Sequence, residues 1–186
     1  LESPKHPSSQ FHTFRIFAAM VLIALGSNLG DKAQNLCTAC DLLAAVGVRV
    51  LRRSALYRTP PWGITEQDWF LNAVCELSTD AGPEDLLDLL LDTEARMGRL
   101  RAQRWGPRLI DLDLIAYHEQ QCQTETLHLP HPRFAEREFV LAPLADLVPA
   151  WQPVGHGHTI AEMLTGLPRR EAQIYPAPAC WSNRSW

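Results

Sequence analysis

Residues 20–25 form an unbroken apolar run, Met20-Val21-Leu22-Ile23-Ala24-Leu25, which stops at Gly26-Ser27-Asn28. Such a run reads as a buried central strand followed by a turn. Gly30-Asp31 then opens a helix whose positions Leu36, Cys40, Leu43 and Val46 or Gly47 recur at helical spacing, with Gly47 as a stop. From Val48 to Tyr57 the chain alternates, Val48, Val50, Arg52 and Ser54 against Arg49, Leu51 and Arg53, which predicts a strand with a charged face. Thr59-Pro60-Pro61-Trp62-Gly63 cannot extend it, because two prolines remove ladder donors; residues 58–68 read as a loop. Strand character resumes from Trp69 to Ser78. Gly82-Pro83-Glu84-Asp85 starts a second helix, with proline in the first turn and two carboxylates at the positive end of its dipole. Leu86, Leu90 and Met97, with Leu87 and Leu91, supply its buried stripe, and Gly98 ends it.

Beyond a basic loop at 99–107, Leu109 to Tyr117 reads as a strand and Thr126 to Leu129 as a short extended piece broken by Pro130-His131-Pro132. Phe139 to Leu147 and Thr159 to Leu167 read as short helices; from Pro168 onward no period is legible. The order strand, helix, strand, strand, helix, strand is that of an α+β, ferredoxin-like split βαβ fold, a mainly antiparallel sheet with helices packed on it. The expected organisation is a peripheral extension at 1–19, a single domain at 20–167 and a C-terminal tail at 168–186. Arg15 and the apolar residues after it also have the outline of a secretory leader, but a first buried strand is the preferred reading.

With 186 residues, 46% of them hydrophobic, the chain can build one real core. A net charge of -4 gives no general reason to expect nucleic acid or an anionic membrane as partner. No apolar stretch is long enough to span a bilayer. Of five cysteines only Cys37 and Cys40 are closely spaced, so neither a disulfide framework nor a four-ligand zinc site is suggested. Cys37-Thr38-Ala39-Cys40 has redox-dithiol spacing, yet it falls inside an amphipathic helix and reads as packing. The expectation is a reducing cytoplasm.

Candidate chemistry concentrates late in the second half of that order. Asp111 and Asp113 alternate with Ile110, Leu112 and Leu114, so both carboxylates share one strand face, roughly 6 to 7 Å apart. Such a pair repels itself unless a cation is near, and its oxygen-only chemistry suits Mg²⁺; a solvated acidic face is the plainer alternative. Arg96, Arg99, Arg101, Arg104 and Arg108 lie directly upstream. Guanidinium groups grip phosphate oxygens with paired donors, so a polyphosphate held between arginines and metal is the sharper reading. Like charges in an empty loop repel, so closure is expected to require the anionic ligand. Neither a P-loop string nor a kinase signature set is present.

Five segments together resemble a known family, the 6-hydroxymethyl-7,8-dihydropterin pyrophosphokinases. They are Ala24-Leu25-Gly26-Ser27-Asn28-Leu29-Gly30, Tyr57-Arg58-Thr59-Pro60-Pro61-Trp62-Gly63, Phe70-Leu71-Asn72-Ala73, Arg104-Trp105-Gly106-Pro107-Arg108-Leu109-Ile110-Asp111-Leu112-Asp113, and Leu129-Pro130-His131-Pro132-Arg133 with Arg137-Glu138-Phe139-Val140-Leu141. The resemblance implies that Asp111 and Asp113 hold two Mg²⁺ ions on ATP. It implies that Arg99, Arg101 and Arg108 serve catalysis, and that Arg99, Arg101, Arg104 and Arg108 with Trp105 form the closing loop and its contacts to the ATP phosphates. Glu94, Ile110, His131 and Arg137 are implied at the nucleotide. Thr59, Pro60, Pro61 and Trp62 look like the pterin loop, Asn72 like the residue that hydrogen-bonds the pterin edge, and Phe70 and Phe139 like the aromatic pair around the ring. Pro132 stands where some members carry an aromatic, and Trp62 where an aliphatic is usual.

The activity implied is attack by the hydroxymethyl oxygen of 6-hydroxymethyl-7,8-dihydropterin on the β-phosphorus of ATP, with AMP leaving, in folate biosynthesis. Positioning and charge neutralisation carry such a step without a dedicated base. The implied partners are small molecules only, with no nucleic acid and no membrane, and a monomer is the expectation. An RNA-binding module is the rival reading, because ferredoxin-like sheets also present RNA; the missing aromatic and glycine string of such modules argues against it.

Overall fold

The computed structural model describes residues 20–62, 66–98, 106–168 and 170–182. The first strand, β1 (Val21–Ser27), is buried along its whole length. Val21, Ile23 and Leu25 point into one hydrophobic core, while Met20, Leu22 and Ala24 line another on the opposite side of the sheet. The unbroken apolar run therefore belongs to a strand covered on both faces. It continues two residues past Leu25, so Gly26 and Ser27, expected in a turn, are strand residues.

Helix α1 (Lys32–Ala45) is capped by the Asp31 carboxylate, which accepts from the Gln34 N–H, and it buries Leu36, Cys37, Ala39, Cys40 and Leu43. Val46 stands outside the helix and is exposed, unlike the stripe to which the spacing assigned it. The next expected strand is two pieces, β2 (Arg49–Arg53) and β3 (Leu56–Thr59), both paired with β4 (Phe70–Ser78). Between them Ser54 donates its N–H to the Val74 carbonyl and accepts the Val74 N–H on its hydroxyl. Arg53 faces Cys75 whereas Tyr57 faces Asn72, so one extra residue is absorbed there as a bulge.

Helix α2 (Pro83–Arg96) starts on proline with Glu84 and Asp85 in its first turn, and Gly98 follows with φ 84°, the left-handed position that stops a helix. Strand β5 (Asp111–Tyr117) leads to the small pair β6 (Cys122–Gln123) and β7 (His128–Leu129). Helices α3 (Glu138–Leu147) and α4 (Ile160–Gly166) follow, α4 closed by a reciprocal Thr159–Glu162 capping box. The segment after Pro168, where no period was legible, supplies β8 (Gln173–Tyr175) and the short α5 (Ala179–Ser182).

The main sheet runs β5-β1-β4-β3-β8, with β2 also on β4, and among the described residues its pairings are antiparallel. This is the expected split βαβ order. Helices α1 and α2 cover one face of it; α3 and α4 cover the other. Among the described residues no helix is long and apolar enough to cross a membrane.

The fold also makes a cysteine pair that the spacing does not suggest. Cys37 on α1 and Cys180 on α5 form a disulfide across 143 residues, with their Cα atoms 6.1 Å apart. Sequence spacing could not reveal a pair that only the fold of the tail brings together.

Candidate active site

The register across β1 gathers the site. Gly26 lies opposite Asn72 on β4 and opposite Asp111 on β5, and Asn72 in turn lies opposite Tyr57 on β3. Directly opposed residues share a face, so Tyr57, Asn72, Gly26 and Asp111 make one row across four strands. The next row holds Val74, Ala24 and Asp113. Because neighbouring strands are about 4.8 Å apart, Asn72 and Asp111 flank Gly26 with roughly 10 Å between their backbones. A glycine there matters: a Cβ would stand 2.8 Å from the Asn72 Oδ1 and 3.8 Å from the Phe70 Cδ1. The bare backbone leaves a notch beside the asparagine.

Asn72 is buried, and its Nδ2 donates to the Thr59 hydroxyl at 2.7 Å, which turns its Oδ1 toward the notch. Pro60 and Pro61 follow Thr59, and Trp62, almost half exposed, meets the Phe139 ring edge-on at 6.2 Å. Phe139 lies in the first turn of α3, with the Arg137 guanidinium 5.5 Å from its ring centre. The C-terminal end of the same helix is pinned to β3, since Asp146 accepts from the Tyr57 hydroxyl and the Ala55 N–H. Burial, then the Asp146 carboxylate, pushes the Tyr57 phenol well above its ordinary value, so it stays a proton donor.

The two aspartates are each compensated by arginine. Arg108 meets the Asp111 carboxylate at 2.9 Å, and the largely buried Arg137 meets that of Asp113 at 3.4 Å. The repulsion expected of neighbouring acids is thus relieved by guanidinium groups. Burial lowers Arg137 from the ordinary arginine value, against the pull of Asp113. His131 is pushed down to about 4, first by burial and then by Arg137 and Arg133, so it is neutral at pH 7. Its Nδ1 accepts from the Arg133 N–H at 3.3 Å, which places its proton on Nε2. Glu94 reaches from α2 to accept the Leu112 N–H at 2.7 Å, fixing β5 between the two aspartates. Ile110 is wholly buried in the core and exposes no surface of its own to a nucleotide.

Asn28 ties the parts together. Its N–H donates to the Arg108 carbonyl, its Oδ1 accepts the Arg108 N–H, and its Nδ2 donates to the Gln67 Oε1 at 2.9 Å. One buried side chain thus joins the approach to β4 with the approach to β5. Gly26, Asn28 and Arg133 were not singled out from the sequence, although all three fall within the matching segments. Arg99, Arg101, Arg104 and Trp105 lie outside the described residues.

Among the described residues no three His, Cys, Asp or Glu side chains converge as a metal cage. Two oxygen donors on one face still fit a hard divalent cation that takes its other ligands from water and phosphate.

Residues 22–149 match the family described as 7,8-dihydro-6-hydroxymethylpterin-pyrophosphokinase (HPPK). A 2-amino-4-hydroxy-6-hydroxymethyldihydropteridine pyrophosphokinase of Methylorubrum extorquens is 51% identical over 146 residues, 78% of this chain and 91% of that protein. Its namesake in Bacillus subtilis is 45% identical over 126 residues, 67% of this chain and 75% of that one. A Plasmodium falciparum HPPK-DHPS structure with pteroate aligns at TM-score 0.64 with 14% identity over 78% of this chain and 44% of that one, a likeness of fold. On the length and identity of these matches, the chain belongs to the 7,8-dihydro-6-hydroxymethylpterin-pyrophosphokinase family.

Proposed function

We infer that the chain transfers a pyrophosphoryl group from ATP to the hydroxymethyl group of 6-hydroxymethyl-7,8-dihydropterin in folate synthesis, the activity of its family. We assign that activity to the row Asn72–Gly26–Asp111, which sets a recognition amide and a carboxylate pair on one sheet face, separated by a side-chain-free notch. In this reading the pterin edge meets the Asn72 Oδ1, and its ring lies between Phe70 and Phe139 under the loop Thr59-Pro60-Pro61-Trp62. A flat heteroaromatic gains from aromatic faces, and an amide can match a pyrimidinone edge.

The ATP phosphates fall to Arg108, Arg137 and the Nε2–H of neutral His131. Arg99, Arg101, Arg104 and Trp105 are assigned to the same end by resemblance. Asp111 and Asp113 are the residues that hold Mg²⁺, two ions by the same analogy, whose chemistry is to neutralise phosphate charge. Arg108 and Arg137, already on those carboxylates, are placed to exchange them for phosphate oxygens when substrate arrives. Glu94 holds the β5 backbone so that the two acids keep one face. The site then works by alignment and electrostatics, with no proton acceptor dedicated to the pterin hydroxyl. The setting proposed is the cytoplasm, with substrates that are small molecules.

The test is AMP release by purified protein given ATP, Mg²⁺ and the pterin, with pterin omitted as control. Asp111→Ala and Asp113→Ala should each cut turnover by on the order of 100-fold or more while the circular dichroism spectrum is retained. Near-normal turnover in either variant rejects the metal assignment.

A further inference from the structure

Cys180 lies in the tail beyond residue 149, where the family match ends. That tail touches both walls of the proposed pterin site. β8 pairs with β3, Ile174 opposite Tyr57, and Tyr57 is opposite Asn72 on its other side. Upstream, the N–H groups of Glu171 and Ala172 donate to the Glu138 carboxylate at 2.7 and 3.1 Å, one residue from Phe139. Downstream, the buried Trp181 donates its indole N–H to the Ser54 carbonyl, and Arg53 donates to the Ser182 carbonyl.

Trp181 is anchored in the core, whereas β8 upstream of it has the weaker hold. All three residues of β8 are exposed, and a short edge strand of that kind opens easily. We propose that Cys37 and Cys180 form a reversible thiol–disulfide clasp that sets how firmly residues 170–182 brace the pterin wall. The proposal rests on the pterin site assigned above.

The chemistry is selective. Cys37 is fully buried, whereas Cys180 is only partly so, so an entering thiolate reaches the Cys180 sulfur first. Attack by a small dithiol breaks the S–S bond, releases Cys37 as a thiolate that takes up a proton, and leaves a mixed disulfide on Cys180. The second thiol of the reductant then displaces Cys180 as a thiol and closes a cyclic disulfide, two electrons having passed to the protein. A disulfide oxidant reverses the sequence. Cys40, one turn from Cys37, does not compete for the reductant: it is fully buried and hydrogen-bonded to Cys75. In a reducing compartment persistent disulfides are uncommon, and those present are usually redox-responsive.

The experiment compares oxidised and dithiothreitol-reduced full-length protein with Cys180→Ser. Alkylation under denaturing conditions should block three cysteines, Cys40, Cys75 and Cys122, in the oxidised protein and all five after reduction. Reduction should speed hydrogen exchange at Gln173–Tyr175 and raise the pterin KM about threefold or more, as a partly populated docked state requires, with the ATP KM unchanged. Cys180→Ser should show the raised pterin KM in both conditions. Five alkylated cysteines in the oxidised protein, or oxidised wild type and Cys180→Ser with equal exchange and equal pterin KM, would overturn the clasp. If wild type releases no AMP in either state, the functional reading fails instead, and the thiol count and exchange still judge the clasp.

Discussion

Replacing Gly26 by alanine asks whether the notch is a working part of the site. The new methyl group would lie 2.8 Å from the Asn72 Oδ1, well inside contact distance, and Asn72 cannot step aside freely because it is buried and its Nδ2 is bonded to Thr59. Either the amide rotates and loses the bond to Thr59, or β1 and β4 are forced apart. Overpacking a tight interior costs about 1–3 kcal/mol, and a lost buried hydrogen bond about 1 kcal/mol. A net destabilisation of about 2 kcal/mol is expected, which lowers Tm by about 4–8 °C in a chain of this size. Rotation of the amide also removes about 2 kcal/mol of pterin binding, or roughly 30-fold in pterin KM. ATP affinity should hold, because the added group faces Asn72 and not Asp111. Thermal unfolding and AMP release at varied pterin read the two effects separately. A double-mutant cycle with Asn72→Ala sharpens the case, since removing the amide should restore the stability lost to Gly26→Ala without restoring pterin binding. Wild-type Tm and pterin KM in Gly26→Ala would refute the reasoning.

Asn28→Asp keeps the acceptor for the Arg108 N–H but turns a donor into an oxygen facing the Gln67 Oε1, so a loss of about 1–3 kcal/mol is expected in urea unfolding; a change below about 0.5 kcal/mol would show that the bridge is idle. His131 gives a pH signature. Its folded value of about 4 lies below the ordinary 6.5, so only the unfolded chain takes the proton between those limits, and stability falls as pH drops from about 6.5 to about 4. The full shift would be worth about 3 kcal/mol, discounted to about 1–2 kcal/mol for partial exposure, and His131→Gln should lose that part of the slope. Identical pH profiles for wild type and variant would contradict this.

The elements with strong local signals were readable. Helix α2 announced itself by proline, acids, a leucine stripe and a terminal glycine, and β4 by its apolar run. The two aspartates were legible too, because strand alternation alone puts them on one face. Other features depend on partners distant in sequence. The break at Ser54 exists because its hydroxyl substitutes for a ladder partner at Val74, which the alternation of 48–57 does not hint at. Gly26 looks like turn punctuation until β4 and β5 are seen on either side of it. Val46 kept the helical period but fell one residue beyond the last turn. Cys180 sits in a tail whose order comes from contacts with β2, β3, α1 and α3, so neither its period nor its spacing could expose the bond to Cys37.

The double coverage of β1 restricts how this protein can change length. Sliding that strand by one residue would exchange the aliphatic groups of its two cores and move the notch out of line with the asparagine and the first aspartate, so folding and recognition would fail in one stroke. Insertions should therefore accumulate at the largely exposed hairpin residues 119–126, outside the pairings of this strand, and a library of single-residue insertions scored for growth without supplied folate would map that boundary directly.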